Sequence, residues 1–156
     1  NSSGDIVGWV DSNMKSAAAK LPEMIDRLNN NDIVLLSRYV EGGDDKRDKF
    51  RSFASRFLNW IYQLTLSKEI KDYTSGMFVM KRDVLLVAIP NCFGHGEFFV
   101  EFIYKTHKRG VKIYELPFIQ PPDLEKRSKT ASSLLHFIHL GFHYIGVVFH
   151  AHTRRN

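Results

Sequence analysis

An α/β fold built on parallel strands is what the order of patterns along this chain predicts. Two short apolar runs, DIVGWV (5–10) and IVLL (33–36), each stop at a polar turn, as buried strands do. Between them Leu21, Met24, Ile25 and Leu28 recur at helical spacing, and Asn29 to Asn31 close that helix. A strand, helix, strand succession with apolar strands implies a parallel sheet joined by a right-handed crossover. A length of 156 residues suits one domain with a sizeable core.

The remaining elements follow in order. SRYVEGGDDKRDK (37–49) is rich in glycine and charge and reads as a loop. A long helix is predicted over 50–66, with Phe53, Phe57, Trp60, Ile61 and Leu64 marking an apolar stripe. KDYTSGMFVMKRDVL supplies a polar turn, a short strand over 77–80 and a helix start. Residues 97–108 read as a helix that Gly110 ends, because glycine accepts the left-handed conformation found just past helix ends. VKIYELPFI (111–119) alternates as a strand, PPDLEKRSKT is a basic loop, and 131–151 is predicted as a final helix. The division expected is 1–130 for the α/β domain and 131–156 for an amphipathic helix and basic tail.

Composition narrows the function classes. Hydrophobic residues at 44% and charged residues at 25% indicate a globular chain rather than a disordered one. A net charge of +5 favours an anionic partner such as phosphate, anionic lipid or nucleic acid. Nucleic acid is set aside, since the cations are not interleaved with an exposed aromatic platform. The single cysteine, Cys92, cannot form an internal disulfide and fits a reducing compartment. The start NSSGDIVGWV lacks the pattern of a signal peptide.

Several stretches carry candidate chemistry. Asp11 follows the first strand, where ligands bind in open α/β sheets, and it is a hard oxygen donor suited to Mg²⁺ or Mn²⁺. The same residue type is also favoured as a helix N-cap. Arg38 lies at the end of the second strand, and Arg51 and Ser55, four apart, share one helix face. Two guanidiniums and a hydroxyl suit a phosphate, and a solvated basic surface is the other reading. In DYTSG, Asp72, Thr74 and Ser75 are placed either to contact a sugar or phosphate or to stabilise their own turn. Glu101 stands among apolar neighbours in EFFVEF, as a base or as the partner of a nearby cation. Lys126, Arg127 and Lys129 crowd one loop.

The last predicted helix carries His136, His139, His143 and His150 opposite Leu134, Phe137, Ile138, Ile145 and Val148. It ends near Arg154 and Arg155, as interfacial membrane helices often do. Four histidines and two glycines make it a poor spanning segment. Packing on the domain or in a dimer is the alternative.

Taken in order, DSNM, LLSRYVEGG, RSFASRFLN, DYTSGMFVMKRDVL, GEFFVEFIYKTHKRGVKIYELPF and RSKTASS resemble the polyprenyl-phosphate glycosyltransferases. These are family 2 glycosyltransferases akin to dolichol-phosphate mannose synthase. The resemblance covers nearly the whole chain. It implies a GT-A (Rossmann-like) fold and inverting transfer of a hexose from a GDP- or UDP-linked nucleotide-sugar to a polyprenyl phosphate. It implies Mg²⁺ or Mn²⁺ as cofactor and a peripheral place at the cytoplasmic face of a membrane. Asp11 matches the first residue of the family's Asp-x-Asp metal motif, while Asn13 stands at the second and Lys15 at a later ligand position. Lys15 is expected to contact the diphosphate in place of some metal charge. Asp11 and Arg38 are the expected catalytic residues. Arg38, Arg51 and Ser55 match acceptor-phosphate residues, and Lys129, with Lys126 or Arg127, falls in the closing motif, where Asp123 replaces an arginine. Relatives carry a further βαβ unit ahead of the metal motif. The chain is therefore expected to lack the N-terminal nucleotide-binding half of the fold and to be inactive alone. Two alternatives remain: a saccharide acceptor, or a non-catalytic binding module that retains the fold.

Overall fold

The computed structural model describes residues 4–10, 15–90 and 97–122. Its centre is a four-stranded sheet in the order β1 (Ile6–Val10), β4 (Met77–Lys81), β2 (Ile33–Ser37), β5 (Ile113–Pro117). β2 pairs parallel with β5, and β4 lies antiparallel to both β1 and β2. β1 and β2 therefore point the same way, as the strand, helix, strand order implies, but they are not neighbours. The reversed strand β4 separates them, so the sheet is mixed and not all-parallel.

β2 is buried along its whole length, which its unbroken apolar run requires of a strand covered on both faces. Alternation then sorts its side chains. Ile33 and Leu35 join Phe78 and Met80 of β4 in one core, with Tyr62 and Phe102, whereas Val34 and Leu36 join Met77 and Val79 in a second core with Met24 and Leu28. The first core is covered by α2 (Lys49–Thr65) and α4 (Glu97–Lys108), and the second by a 3₁₀ segment, Lys15–Lys20, running into α1 (Leu21–Arg27). A short helix, α3 (Val84–Val87), follows β4. Gly110 takes φ +77° after α4 and accepts the helix-ending conformation expected of it.

Two further expectations fail. β1 is not a buried strand: four of its five residues are exposed, because it lies at the sheet edge with only β4 beside it. The apolar stripe of α2 does not face the core either. Phe53, Phe57, Trp60 and Leu64 are exposed, and the buried positions of that helix are Asn59 and Tyr62. A smaller feature escapes the sequence reading. The glycine-rich loop contains β3 (Asp44–Asp45), which pairs parallel with β6 (Ile119–Gln120) and ties the loop to the end of β5. The basic loop and the final helix lie outside the described residues.

Candidate functional site

β2 ends at Ser37, and the next residue, Arg38, is the hub of a buried polar cluster. Its guanidinium grips Asp72 in a fork, Nε to Oδ2 at 2.8 Å and Nη2 to Oδ1 at 2.7 Å, while its own backbone N–H donates to Oδ2 at 3.0 Å. Nη2 also donates to the Thr74 hydroxyl at 2.7 Å and carbonyl at 2.9 Å. Nη1 is held more loosely, 3.4 Å from Gln120 Oε1 and 3.6 Å from Asp45 Oδ2. Arg38 is only 5% exposed, and burial alone would depress its pKa. The Asp72 charge and hydrogen bonds outweigh that and raise it further above the ordinary arginine value.

α2 supplies the opposite wall. Asp48 caps its first turn by accepting from the Phe50 N–H at 3.0 Å. One turn further, Ser55 Oγ lies 3.1 Å from Thr74 Oγ1, and Asn59 Nδ2 donates to the same oxygen at 2.8 Å. Asn59 Oδ1 accepts the Tyr73 N–H at 2.6 Å. A single buried amide thus clamps two consecutive residues of the DYTSG turn. Thr74 closes the ring by donating to Asp72 Oδ1, 3.2 Å away.

β5 holds the turn from below. Glu115 stands opposite Leu35 in the β2–β5 register, and its two oxygens accept the backbone N–H groups of Lys71 at 2.7 Å and Asp72 at 2.9 Å. Burial pushes the Glu115 carboxyl above its ordinary value; those N–H groups and Ser37 pull the other way without cancelling it.

The SRYVEGG loop folds back over the strand end. Gly42 takes φ +85°, and a Cβ on Gly43 would fall 2.6 Å from the Ser37 carbonyl oxygen, so the second glycine permits backbone contact that any side chain would prevent. Tyr39, in the same loop, has the Arg38 and Arg56 guanidiniums 4.9 and 5.2 Å from its ring centroid. Its hydroxyl donates to Asp45 at 3.3 Å. Asp45 is buried, which would raise its pKa, but hydrogen bonds and charge from Arg47, with Arg38 beyond, leave it below the ordinary carboxylate value.

Of the residues singled out in the sequence, Arg38, Ser55, Asp72 and Thr74 meet in this cluster. Arg51 lies on the same helix, one turn before Ser55. Ser75 turns to its own backbone, donating to the Met77 carbonyl at 3.0 Å. Glu101 pairs with Lys105 one turn on in α4, as the ion-pair reading of EFFVEF allows. Asp11, Asn13, Asp123, Lys126, Arg127, Lys129 and the four histidines lie outside the described residues. β1 ends at Val10, immediately before Asp11. Among the described residues no group of three or more His, Cys, Asp or Glu side chains is placed to hold a metal. Asn59, Glu115, Asp45 and Gln120 escaped the sequence reading. Two of them carried a signal: an asparagine inside a helix and a glutamate inside an alternating strand are each poor choices for their element.

Comparisons with known proteins agree with this architecture. The model of glycosyl transferase family 2 matches residues 1–87. A dolichol-phosphate mannosyltransferase from Pyrococcus furiosus is 29% identical over 120 residues, which cover 74% of this chain and 33% of that protein. The chain thus spans about a third of the length of that curated relative. A crystal structure of a mycobacterial protein superposes with a TM-score of 0.69 at 16% identity, covering 96% of this chain and 47% of the other. Glucosyl-3-phosphoglycerate synthase from Mycobacterium tuberculosis, solved with uridine diphosphate, gives 0.62 at 17% identity, covering 96% and 50%. The α/β fold of GT-A type is therefore the one expected, over about half of each of those chains.

Proposed function

Because this chain belongs to glycosyl transferase family 2, we propose that it serves transfer of a hexose from a nucleotide-sugar to a polyprenyl phosphate. The observation that carries the reading is the shared wall of the cluster. One helix, α2, brings Ser55 against a turn that Arg38 has already fixed and carries Arg51 one helical turn before it. A phosphate monoester is recognised by such a pairing of guanidinium and hydroxyl donors. The looser Nη1 edge of Arg38 is the part of that group free to exchange its long contacts for a phosphate oxygen. Arg38 thus fixes the turn through Nε and Nη2 and meets the acceptor through Nη1.

The chemistry asks little of a general base. The acceptor phosphate is already anionic, so its oxygen attacks the anomeric carbon directly. The bond from that carbon to the nucleoside diphosphate breaks, the diphosphate leaves with the electron pair, and configuration inverts. Arg51 and Ser55 orient the attacking oxygen, while Asp72 and Thr74, held by Arg38, Asn59 and Glu115, form a fixed floor beneath the sugar and acceptor. Lys126, Arg127 and Lys129 are proposed to complete the acceptor-phosphate site.

A divalent cation belongs to this reading. Asp11 and Asn13, one carboxylate and one amide oxygen just past β1, suit a hard cation by donor type, although an amide gives one charge fewer than a second carboxylate. Bound Mg²⁺ or Mn²⁺ would supply stabilisation of charge on the leaving diphosphate. The proposed setting is the cytoplasmic face of a membrane. No helix among the described residues is long and apolar enough to cross one.

The acceptor reading is tested by binding of a short, water-soluble prenyl phosphate to the purified chain. Arg51→Ala and Ser55→Ala should each weaken it about tenfold, in line with loss of a charge-assisted hydrogen bond. Affinity unchanged in both variants would sink the assignment. A saccharide competing at the same site would favour the other acceptor class. Asn13 and Lys15 favour one second reading, a binding module without turnover. Titration of Mn²⁺ in the presence of nucleoside diphosphate separates it, since a module without turnover should take up no metal.

A further inference from the structure

Thr74 carries the most crowded hydroxyl of the cluster. Four polar atoms surround its Oγ1: Arg38 Nη2 at 2.7 Å, Asn59 Nδ2 at 2.8 Å, Ser55 Oγ at 3.1 Å and Asp72 Oδ1 at 3.2 Å. A hydroxyl has two lone pairs and one hydrogen, so it serves three partners and not four. The two nitrogens settle most of the count. A guanidinium can only donate, and so can an amide nitrogen. The Asn59 amide is fixed in orientation, because its Oδ1 accepts the Tyr73 N–H at 2.6 Å and a flipped amide would set two donors face to face. Both lone pairs of Thr74 are therefore filled, and Ser55 has none left to donate to.

The one hydrogen of Thr74 has two claimants, Asp72 and Ser55. Asp72 has little need of it. Its two oxygens already accept the Arg38 guanidinium twice, the Arg38 N–H and the Thr74 N–H. A Ser55 oxygen that accepts from Thr74 keeps its own hydrogen for the side away from the turn. There it meets the Tyr39 hydroxyl, which donates to Asp45 and so offers Ser55 only lone pairs. Ser55 is also partly open to solvent, so the same hydrogen is within reach of a ligand.

We infer that Thr74 is a positioning residue for the acceptor: its hydroxyl turns from Asp72 to Ser55 when Ser55 takes a phosphate oxygen, and so holds Ser55 as a donor. The inference rests on the acceptor-phosphate reading of Ser55 and deepens it. Hydrogen bonds then run in one direction, from the Arg38 and Asn59 N–H groups through Thr74 and Ser55 to the phosphate. Each bond in such a chain polarises the next. The buried Arg38 charge thereby strengthens a donor that it does not touch. The end of the chain suits a group that only accepts, which an ionised phosphate oxygen is.

Thr74→Val keeps the shape of the side chain and removes the hydroxyl. The donors it releases retain other acceptors: Arg38 Nη2 has Asp72 and the carbonyl of residue 74, and Asn59 Nδ2 has the Ser55 carbonyl at 2.9 Å. Binding of the short prenyl phosphate by calorimetry, and of inorganic phosphate by phosphorus NMR, is compared for Thr74→Val, Thr74→Ser, Ser55→Ala and the double variant of Thr74→Val with Ser55→Ala. Circular dichroism confirms folding of each. Should Thr74→Val not fold, Thr74→Cys, whose thiol donates only weakly, takes its place. Thr74→Val should weaken both ligands about tenfold. Thr74→Ser should stay within about twofold of the unsubstituted chain, and Thr74→Val should change the Ser55→Ala chain by less than about twofold, because it acts through a hydroxyl already removed. If Thr74→Val is as damaging in the Ser55→Ala chain as in the unsubstituted one, Thr74 serves the fold and the inference is overturned, while the acceptor reading stands on the loss in Ser55→Ala. Full affinity in Thr74→Val overturns it as well. If the cycle holds for inorganic phosphate while no prenyl phosphate binds, the acceptor reading fails and the role of Thr74 stands. Affinity for both ligands unchanged in Ser55→Ala overturns the two together.

Discussion

On its inner side α2 presents Ser55, Asn59 and Tyr62 to the protein; on its outer side it presents Phe53, Phe57 and Trp60 to solvent. An amphipathic helix ordinarily does the reverse. The inner side carries polar residues because it faces the turn as well as the core, where Tyr62 and Leu58 pack. Its side chains are chosen for hydrogen-bond geometry to Tyr73 and Thr74. An apolar stripe in a sequence therefore identifies a helix without saying that the stripe faces the core of its own domain.

The sharpest way to break this contrast is to remove the partner that makes the inner side polar. Asp72→Ala leaves the Arg38 guanidinium buried with only the 3.6 Å contact to Asp45 for charge compensation. Breaking a buried pair from one side costs about 3–5 kcal/mol, and urea denaturation should show a loss of that size. A loss below about 1 kcal/mol would mean that water reaches Arg38 and that the cluster is not the closed unit described.

Asn59→Ala ranks next. It strands the buried Tyr73 N–H and removes a donor to Thr74, for an expected cost of about 1–3 kcal/mol. Its effect should also reach the proposed site, since Thr74 would no longer be fixed from the α2 side. Prenyl phosphate affinity that falls with stability would tie the two; stability lost with affinity intact would separate turn from site.

Acid titration gives a smaller effect with a definite sign. Asp45 and Asp32 lie below the ordinary carboxylate value in the folded chain. For Asp32, burial opposes the shift, and the Lys112 N–H with Lys81 overcomes it. Such groups stabilise the fold above their unfolded pKa, about 4, and that stability is lost as pH falls through the lower folded values. Glu115 works oppositely: its raised value means that the fold binds a proton more readily than the unfolded chain, so it gains as pH falls through that range. Glu115→Gln should therefore steepen the acid loss. A shallower acid limb in that variant would reverse the sign assigned to Glu115.

How much was legible follows the same division. The buried run of β2 and the spacing in α1, α2 and α4 were readable because each element has one dominant period. The position of β4 between β1 and β2 was not, because nothing local in MFVMK tells a parallel from an antiparallel neighbour. Arg38, Ser55, Asp72 and Thr74 were named, yet the hydrogen bonds that bring Arg38 and Ser55 to the turn join residues 19 to 36 apart, a relation no local pattern carries. Asn59 and Glu115 were passed over because a lone polar residue in an otherwise ordinary element looks like solvent-facing decoration until its partner is seen.

The smallest expected effect belongs to the outer side. Phe53→Ser removes a large apolar side chain and, in a core, would cost several kcal/mol. Here the ring is 68% exposed and its stacking contact is Phe57, itself half exposed. Removing it from water-facing surface should change stability in solution by no more than about 0.5 kcal/mol, with the sign set by the helix propensity of serine against phenylalanine, which is nearly equal. Urea denaturation checks this: a large loss would show that this face of α2 packs on the chain after all, and the inner and outer sides of α2 would then no longer differ in kind.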